Sequence, residues 1–515
     1  MATLSPKDML KLAEKRLAAA RAERALQESW MRSAYRYCLP YRTRFDETTI
    51  RPQDQDDLFE TTGQEVHADF AAEATHTFTP STNQWIDVDP IPGLDPVQRS
   101  EISKLATKVK DIVFGMMRES NFYQAGPEAH LDLGVGTCAM IIDDVALDRP
   151  VMCRSIPLPQ LYLTRGPWGT VGTAIYFEDM TPEAIKATWP KADLPREMTV
   201  PAAEDKPFRV WCAWWRDWSD NSGAVYYYIV WYGKNVIASE RRVGRGSCSI
   251  IVSRWTTDPT SPWGIGPANA ALANIRTLDE LCFLSLTALE KRTDPVTFYD
   301  DDTEINIDNG VTAGMWIAKR AGTQAPQPMQ YGDDMQAAIF EKNDLKQSIR
   351  RTYYQDYPEQ EGKTPPTAAQ WLDEASRNAR RMGSPVGRTV VEWQLPIFDR
   401  FARIAAERGL ITKEELAALW ASAKPTSPLL RAQQQEQASI SVQFMQMIGQ
   451  LSGPESLQTL VKLIPTYQNL KEKMGVTAVE LKSEAEVMAD LQKMAELQAM
   501  AQQQQGAGGG ALPGG

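Results

Sequence analysis

The sequence predicts a mixed α+β, mainly helical chain, and three observations carry that prediction. Apolar residues recur every three or four positions over 95–117, 267–293 and 333–354, the period of an amphipathic helix. Between 138 and 256 the pattern changes to short aromatic and β-branched runs punctuated by proline and glycine, the signature of strands. From 412 onward the chain is again helical in pattern, rich in Gln, Met and Leu. A length of 515 residues allows several structural units, at roughly 100–200 residues per domain.

Taken in order, residues 6–36 read as one amphipathic helix. Ser5 is its N-cap, Pro6 stands at the first position, and Leu10, Ala13, Leu17 and Ala20 follow at helical spacing. A polar loop occupies 43–57, then a helix 63–77 and a short strand 85–88. In the next helix Ile102, Leu105, Val109, Ile112 and Met116 form one stripe. Gly134-Val135-Gly136-Thr137 is expected to turn a helix sharply into a strand over 138–142. Thr181-Pro182-Glu183 starts a short helix. The runs 208–215 and 224–232 form a hairpin across 217–223. Trp211, Trp214, Trp215, Trp218 and Trp231 crowd it. Such rings can stack bases, but aromatic strand residues with few basic neighbours are expected to pack a core.

At Gly266-Pro267 a long helix begins, with Leu272, Ile275, Leu278, Cys282, Leu286 and Leu289 on one stripe and Leu281, Phe283 and Leu284 widening it. Over 268–291 it would be about 36 Å long. It ends before Asp294-Pro295, because a residue preceding proline is biased out of the helical region. A helix apolar nearly all round is expected to lie between subunits. A small β module follows, with strands at 296–299 and 315–318 and a turn at Asp308-Asn309-Gly310. Asp333 opens a second helix, striped by Met335, Ala338, Leu345, Ile349 and Tyr353. Residues 357–366 form a loop. Thr367 caps a further helix, with Gln370 as partner, which Gly383-Ser384-Pro385 should kink or break. It resumes over 390–408 and stops at Gly409. Thr412 and Glu415 then cap another helix, 430–500 is helical, and 502–515 is low in complexity and expected to be disordered.

Charge and composition exclude several classes. The formal charge of −11 disfavours a protein that grips nucleic acid with its whole surface. No stretch reaches the ~18 apolar residues of a membrane span, and the first residues lack a signal-peptide core. The six cysteines, Cys38, Cys138, Cys153, Cys212, Cys248 and Cys282, form no Cys-x-x-Cys pair, so they read as reduced thiols. His67, His76 and His130 lie outside metal-ligand spacings. Gly362-Lys363-Thr364 looks like the end of a phosphate loop, but Tyr357 replaces the first glycine and Pro365-Pro366 block the helix such a loop needs. Asp300-Asp301-Asp302 with Glu304 lacks the glycine and distal glutamate of a calcium loop. No catalytic, cofactor or metal site is expected.

The residues in view resemble the portal, or head-to-tail connector, family of short-tailed, podovirus-type bacteriophages. Four segments carry the likeness: LFETTGQEVHADFAAEATHTFTPSTNQW (58–85); HLDLGVGTCAMIID (130–143) with IPLPQLY (156–162) and 169–176; 254–296, containing WGIGPANAAL and ALEKRTDPV; and 366–410, containing LPIFDRFARIAAERGL. Their order and spacing match over roughly residues 30–410, and Ala369-Gln370 stands where the family usually carries Thr-Glu. The resemblance implies a portal fold of wing, stem, clip and crown, assembled as a dodecameric ring. The wing would be 1–266, the stem helices 267–294 and 333–354, the β clip 295–332 and the tunnel loop 355–366. A kinked wing or crown helix (367–411), a helical crown (412–500) and a tail (501–515) complete it.

The implied function is a channel for DNA packaging and ejection at the head vertex of the virion, made in the host cytoplasm. Implied partners are double-stranded DNA, a terminase motor, a tail adaptor, and the major capsid and scaffolding proteins. Candidate channel residues are Asp333, Asp334, Glu341 and Asp344 on the second stem helix, and Glu359, Glu361 and Lys363 on the loop. An acidic lining would repel DNA and keep it sliding. The competing reading of the stem acids is ion pairing with Lys342 and Lys346. Rival functions are another ring-forming head–tail joining protein, disfavoured by length, and a packaging ATPase, disfavoured by the missing phosphate loop.

Overall fold

The computed structural model describes residues 4–45, 57–88, 95–144, 151–200, 204–219, 224–293, 297–298, 327–328, 335–355, 383–425, 441–447, 450 and 466–467. The chain divides into two units, Met1–Pro425 and Thr426–Gly515. In the second unit, residues 441–447 are helical, with Phe444 and Met447 exposed. The strands at 315–318, the turn at 308–310, the acidic run at 300–304 and the segment 357–382 lie outside the described residues.

The first unit is the mixed α+β, mainly helical fold expected. The N-terminal segment is two helices, α1 (Pro6–Ala25) and α2 (Glu28–Cys38), not one. The Ser5 side chain does cap α1, accepting from the Asp8 N–H. Neither glycine nor proline marks the break at 26–27. It follows from tertiary demand: the Arg24 guanidinium donates to the Pro159 and Leu161 carbonyls, fixing α1 on one sheet while α2 joins the main core. Next come α3 (Thr62–Phe78), β1 (Ile86–Val88), α4 (Pro96–Glu119) and α5 (Phe122–Val135).

Two antiparallel sheets follow. The first has the order β3-β2-β9, from β2 (Thr137–Asp144), β3 (Val151–Ile156) and β9 (Ile250–Arg254). The second is a meander of β4 (Leu161–Arg165), β5 (Val171–Met180), β6 (Phe208–Asp217), β7 (Val225–Tyr232) and β8 (Asn235–Val243). A short helix α6 (Pro182–Thr188) separates β5 from β6, capped by Thr181 as expected. The inner strand β7 is buried on both faces, which explains why it reads VYYYIVWY without alternation. Val210, Cys212, Trp214, Tyr228 and Val230 face the main core. Ala213, Trp215, Tyr227, Ile229 and Trp231 face α1, which answers with Met9, Leu10, Ala13, Leu17 and Ala20. Trp214 stacks on Tyr228 at 4.2 Å, and Arg16 and Arg24 lie over Trp215 and Tyr162 at 5.4 and 4.4 Å. Trp214, Trp215 and Trp231 are therefore core, Trp211 packs against it, and cation–π contacts fasten α1 over them, whereas Trp218 is half-buried beside the exposed Trp168.

The short strands β10 (Thr256–Thr257) and β11 (Gly264–Ile265) lead into α7 (Pro267–Thr293). β12 (Thr297–Phe298) pairs antiparallel with β13 (Gln327–Pro328), and α8 (Met335–Thr352) follows. Beyond residue 382 lie α9 (Gly383–Thr389), a π-helical turn Val390–Gln394 and α10 (Leu395–Glu407). The described helix begins at Gly383, the first residue of the expected kink, and a π-helical turn follows it at Val390–Gln394. Gly409 closes α10 at φ 74°. The last described helix of this unit, α11 (Lys413–Ser422), carries the expected Thr412–Glu415 capping box, and β14 (Ala423–Pro425) pairs with β1.

One glycine crossing fixes where α7 starts. Gly136 has φ 146°, and a Cβ there would collide with the Gly264 carbonyl. The Gly266 N–H donates to the Val135 carbonyl at 3.0 Å and the Trp255 N–H to Gly136 at 2.9 Å. Gly136→Ala is expected to cost on the order of 3 kcal/mol, through forced φ and backbone displacement, read as a lowered Tm by calorimetry.

Candidate functional site

The helices α7 and α8 flank the β12–β13 ladder; β12 falls within the expected strand 296–299, but its partner lies at 327–328, where no strand was expected, and the expected strand 315–318 lies outside the described residues. The two helices pack against each other, and Asn274 donates to Ser348 at 3.0 Å. The first half of α7 is embedded: Ala268, Ala271, Leu272, Ile275, Leu278 and Cys282 are buried, against α2, α3 and α5. The second half is not. Phe283, Leu284, Leu286 and Leu289 are 45–54% exposed, and on α8 Ile339 and Phe340 are 54% and 74% exposed. The all-round apolar character of α7 therefore has two causes along its length. Its N-terminal half is core; its C-terminal half carries apolar side chains into solvent.

The segment before α3 clamps this pair at its base. Asp279 accepts from the Phe59 and Glu60 N–H groups at 2.7 and 3.0 Å, and the Phe59 and Phe283 rings lie 4.8 Å apart. Glu60 accepts from the Thr62 hydroxyl at 2.6 Å and the Cys282 thiol at 3.3 Å, and pairs with Lys346 at 3.3 Å. Burial raises the Glu60 carboxyl, but the Thr62 and Cys282 hydrogen bonds and the Lys346 cation outweigh it and hold it at about 2. It is an anion at any working pH.

Of the seven channel candidates, Asp333, Asp334, Glu359, Glu361 and Lys363 lie outside the described residues. Glu341 and Asp344 lie on α8 and are exposed. Lys346 pairs with Glu60, before α3, at 3.3 Å. At 100° per residue, Phe340, Asp344 and Arg351 share the face opposite the buried Ile349 and Tyr353. An exposed stripe on α8 thus runs from apolar through acidic to basic.

The buried polar groups that lock these elements together carry no local signal in the sequence. Glu392, on the π turn, accepts from the Arg254 backbone N–H at 3.0 Å and its Nε and Nη2 at 3.2 and 2.5 Å. The wider turn lets Glu392 reach β9, while Gln394 donates to the Phe78 carbonyl at 2.5 Å. Tyr35 donates to Asp132, which also pairs with Arg42 at 3.0 Å. Burial lifts the Asp132 carboxyl to about 6 despite Arg42 and Tyr35, which pull it down. Burial also lowers His67 to about 4 and His130 to about 3, so both rings are neutral at pH 7. Burial pushes the Cys38, Cys153, Cys212 and Cys248 thiols up to about 12, which leaves them unreactive. Among the described residues no group of three or more His, Cys, Asp or Glu could hold a metal ion. No described helix is long and apolar enough to cross a membrane.

The family model for the bacteriophage head to tail connecting protein matches residues 10–480. The chain belongs to that family. Its members are structural proteins of the virion and not catalysts, consistent with packing, not reactive groups, dominating the site. No curated protein matches the chain. Among solved structures, a chain of the virion of a native gene transfer agent particle is 12% identical with a TM-score of 0.32. That alignment covers 82% of this chain and 98% of that one. A chain of the neck of an empty gene transfer agent particle, computed with C6 symmetry, is 13% identical with a TM-score of 0.35. It covers 83% of this chain and 90% of that one. TM-scores this low do not establish a shared arrangement. For this connector, the head–tail junction is where the apolar end of α7/α8 has to be understood.

Proposed function

We propose that this connector is the portal of a short-tailed phage: a dodecameric ring at the head vertex through which DNA is packaged and ejected. The observation that carries the reading is the exposed apolar end of α7/α8. Six large apolar side chains facing water on one helix pair mark a protein contact. Repetition of one head-to-tail contact closes a ring. In this reading 267–294 and 333–354 are the stem, 295–332 is the clip that meets a tail adaptor, and 355–366 is the tunnel loop. Residues 1–266 form the wing, 367–411 the kinked helix, 412–500 the crown and 501–515 the tail. The terminase motor, major capsid protein and scaffold are the remaining partners.

DNA would pass without sequence readout. A ring of chains each carrying −11 repels a polymer with about one charge per 1.7 Å of axis. Asp333, Asp334, Glu341 and Asp344 would line the stem, and Glu359, Glu361 and Lys363 the loop. The Glu359→Gln/Glu361→Gln double variant is expected to assemble normally and to change packaging yield or DNA retention severalfold. Unchanged packaging by a normal ring would remove the loop from the mechanism. Light scattering tests the ring: a large oligomer is expected, and a monodisperse monomer at high concentration contradicts it.

A further inference from the structure

The C-terminal end of α8 is fastened to the body by a directional chain of buried hydrogen bonds. Tyr353 is 1% exposed. Its hydroxyl lies 3.0 Å from His67 Nδ1 and 3.6 Å from Cys38 Sγ. His67 Nε2 lies 2.7 Å from the Leu131 carbonyl. A carbonyl only accepts, so Nε2 carries the proton and Nδ1 is the acceptor. Tyr353 therefore donates to His67, leaving its oxygen free to accept from the Cys38 thiol. Four elements meet here: α2 through Cys38, α3 through His67, α5 through Leu131 and α8 through Tyr353.

The backbone around Tyr353 is set for this insertion. The Gln355 N–H donates to the Arg350 carbonyl and the Tyr354 N–H to Arg351, at 2.9 and 3.2 Å. This is a helix-ending loop whose left-handed position is normally glycine. Here it is Tyr354, at φ 64°, with its ring 5.9 Å from Trp255. Gln355 donates to the Val66 carbonyl at 2.7 Å. A strained residue flanked by two buried anchors is the pattern of a held, releasable joint.

We propose that the Cys38–Tyr353–His67 chain is an acid-sensitive latch, which holds the end of α8 to α2, α3 and α5 and opens locally when His67 gains a second proton. A protonated Nδ1 cannot accept from Tyr353, and the ring would carry charge in a dry site. Of the ionisable groups packed around it, Cys38 and Tyr353 are neutral partners. Arg42 disfavours a second positive charge. Asp132, paired with Arg42 at 3.0 Å, offsets that cation while ionised; its carboxyl, lifted to about 6, takes a proton within the same pH range and leaves Arg42 to oppose the charge on His67 more strongly. His67 binds its proton less readily in the closed form, at about 4 against an ordinary value of 6.5. Closure is therefore fully favoured above pH 6.5 and is lost progressively as pH falls towards 4.

The test uses the full chain and the reaction of Cys38 with dithiodipyridine, mapped by mass spectrometry and divided by the rate of a matching free peptide at each pH. Cys138, buried in β2, reports global unfolding. The latch predicts that normalised Cys38 reactivity rises roughly tenfold per pH unit between 6.5 and 4, while Cys138 stays protected. In Tyr353→Phe, Cys38 should react at least about tenfold faster at pH 7, with a shallower pH dependence. Cys38 and Cys138 opening in step at every pH in the unsubstituted chain would overturn the proposal, whether or not the variant folds.

Discussion

Arg254→Ala is expected to destabilise the first unit by about 3–5 kcal/mol. The guanidinium side chain is 2% exposed and Glu392 18%, so the truncation strands a carboxylate inside the joint between β9 and the π turn. Arg388, at 3.3 Å from Glu392 and itself 37% exposed, compensates only in part. The pair is a fixture of geometry more than a source of net stability. Replacing both partners with apolar residues of similar volume, Arg254→Met with Glu392→Leu, should recover most of the loss. Denaturant unfolding of the two single variants and the double measures this. A cost below about 0.5 kcal/mol for Arg254→Ala would show that the joint does not depend on the pair.

The second large effect is on assembly. Leu286→Asp with Phe340→Asp is expected to leave the single chain folded and to abolish the oligomer. Both side chains are more than half exposed, so the fold does not depend on them, and Tm of the monomer should move little. In a ring the same positions are buried at every contact. Two unpaired carboxylates then cost on the order of several kcal/mol per interface. Analytical ultracentrifugation beside circular dichroism separates the outcomes. A folded double variant that still assembles would move the subunit contact away from the α7/α8 end.

Local rules made much of this legible. Ser5, Thr181 and Thr412 announced helix starts because a cap needs only a side-chain oxygen at a fixed offset. The 3.6-residue stripe of α7 marked its course from Pro267 to Thr293. What stayed hidden depends on partners far away in the chain. The α1/α2 break is set by carbonyls near residue 160. The π turn is set by Arg254, and the burial of Tyr353 by His67 and Cys38. Nor could an apolar stripe say which half would be core. Leu278 and Leu286 look alike in sequence, and only the tertiary fold buries one and exposes the other. Only charge and position along the chain mark the channel candidates, and the two described, Glu341 and Asp344, are exposed acids on α8.

The central claim is that this connector closes into a ring through the apolar end of α7/α8. Electron microscopy of the purified full-length chain in negative stain tests it most directly. The account predicts ring-shaped particles of about twelve subunits around a central hole, absent from the Leu286→Asp/Phe340→Asp variant. Monomers without a hole at concentrations well above assembly conditions, or rings that persist in that variant, would contradict it.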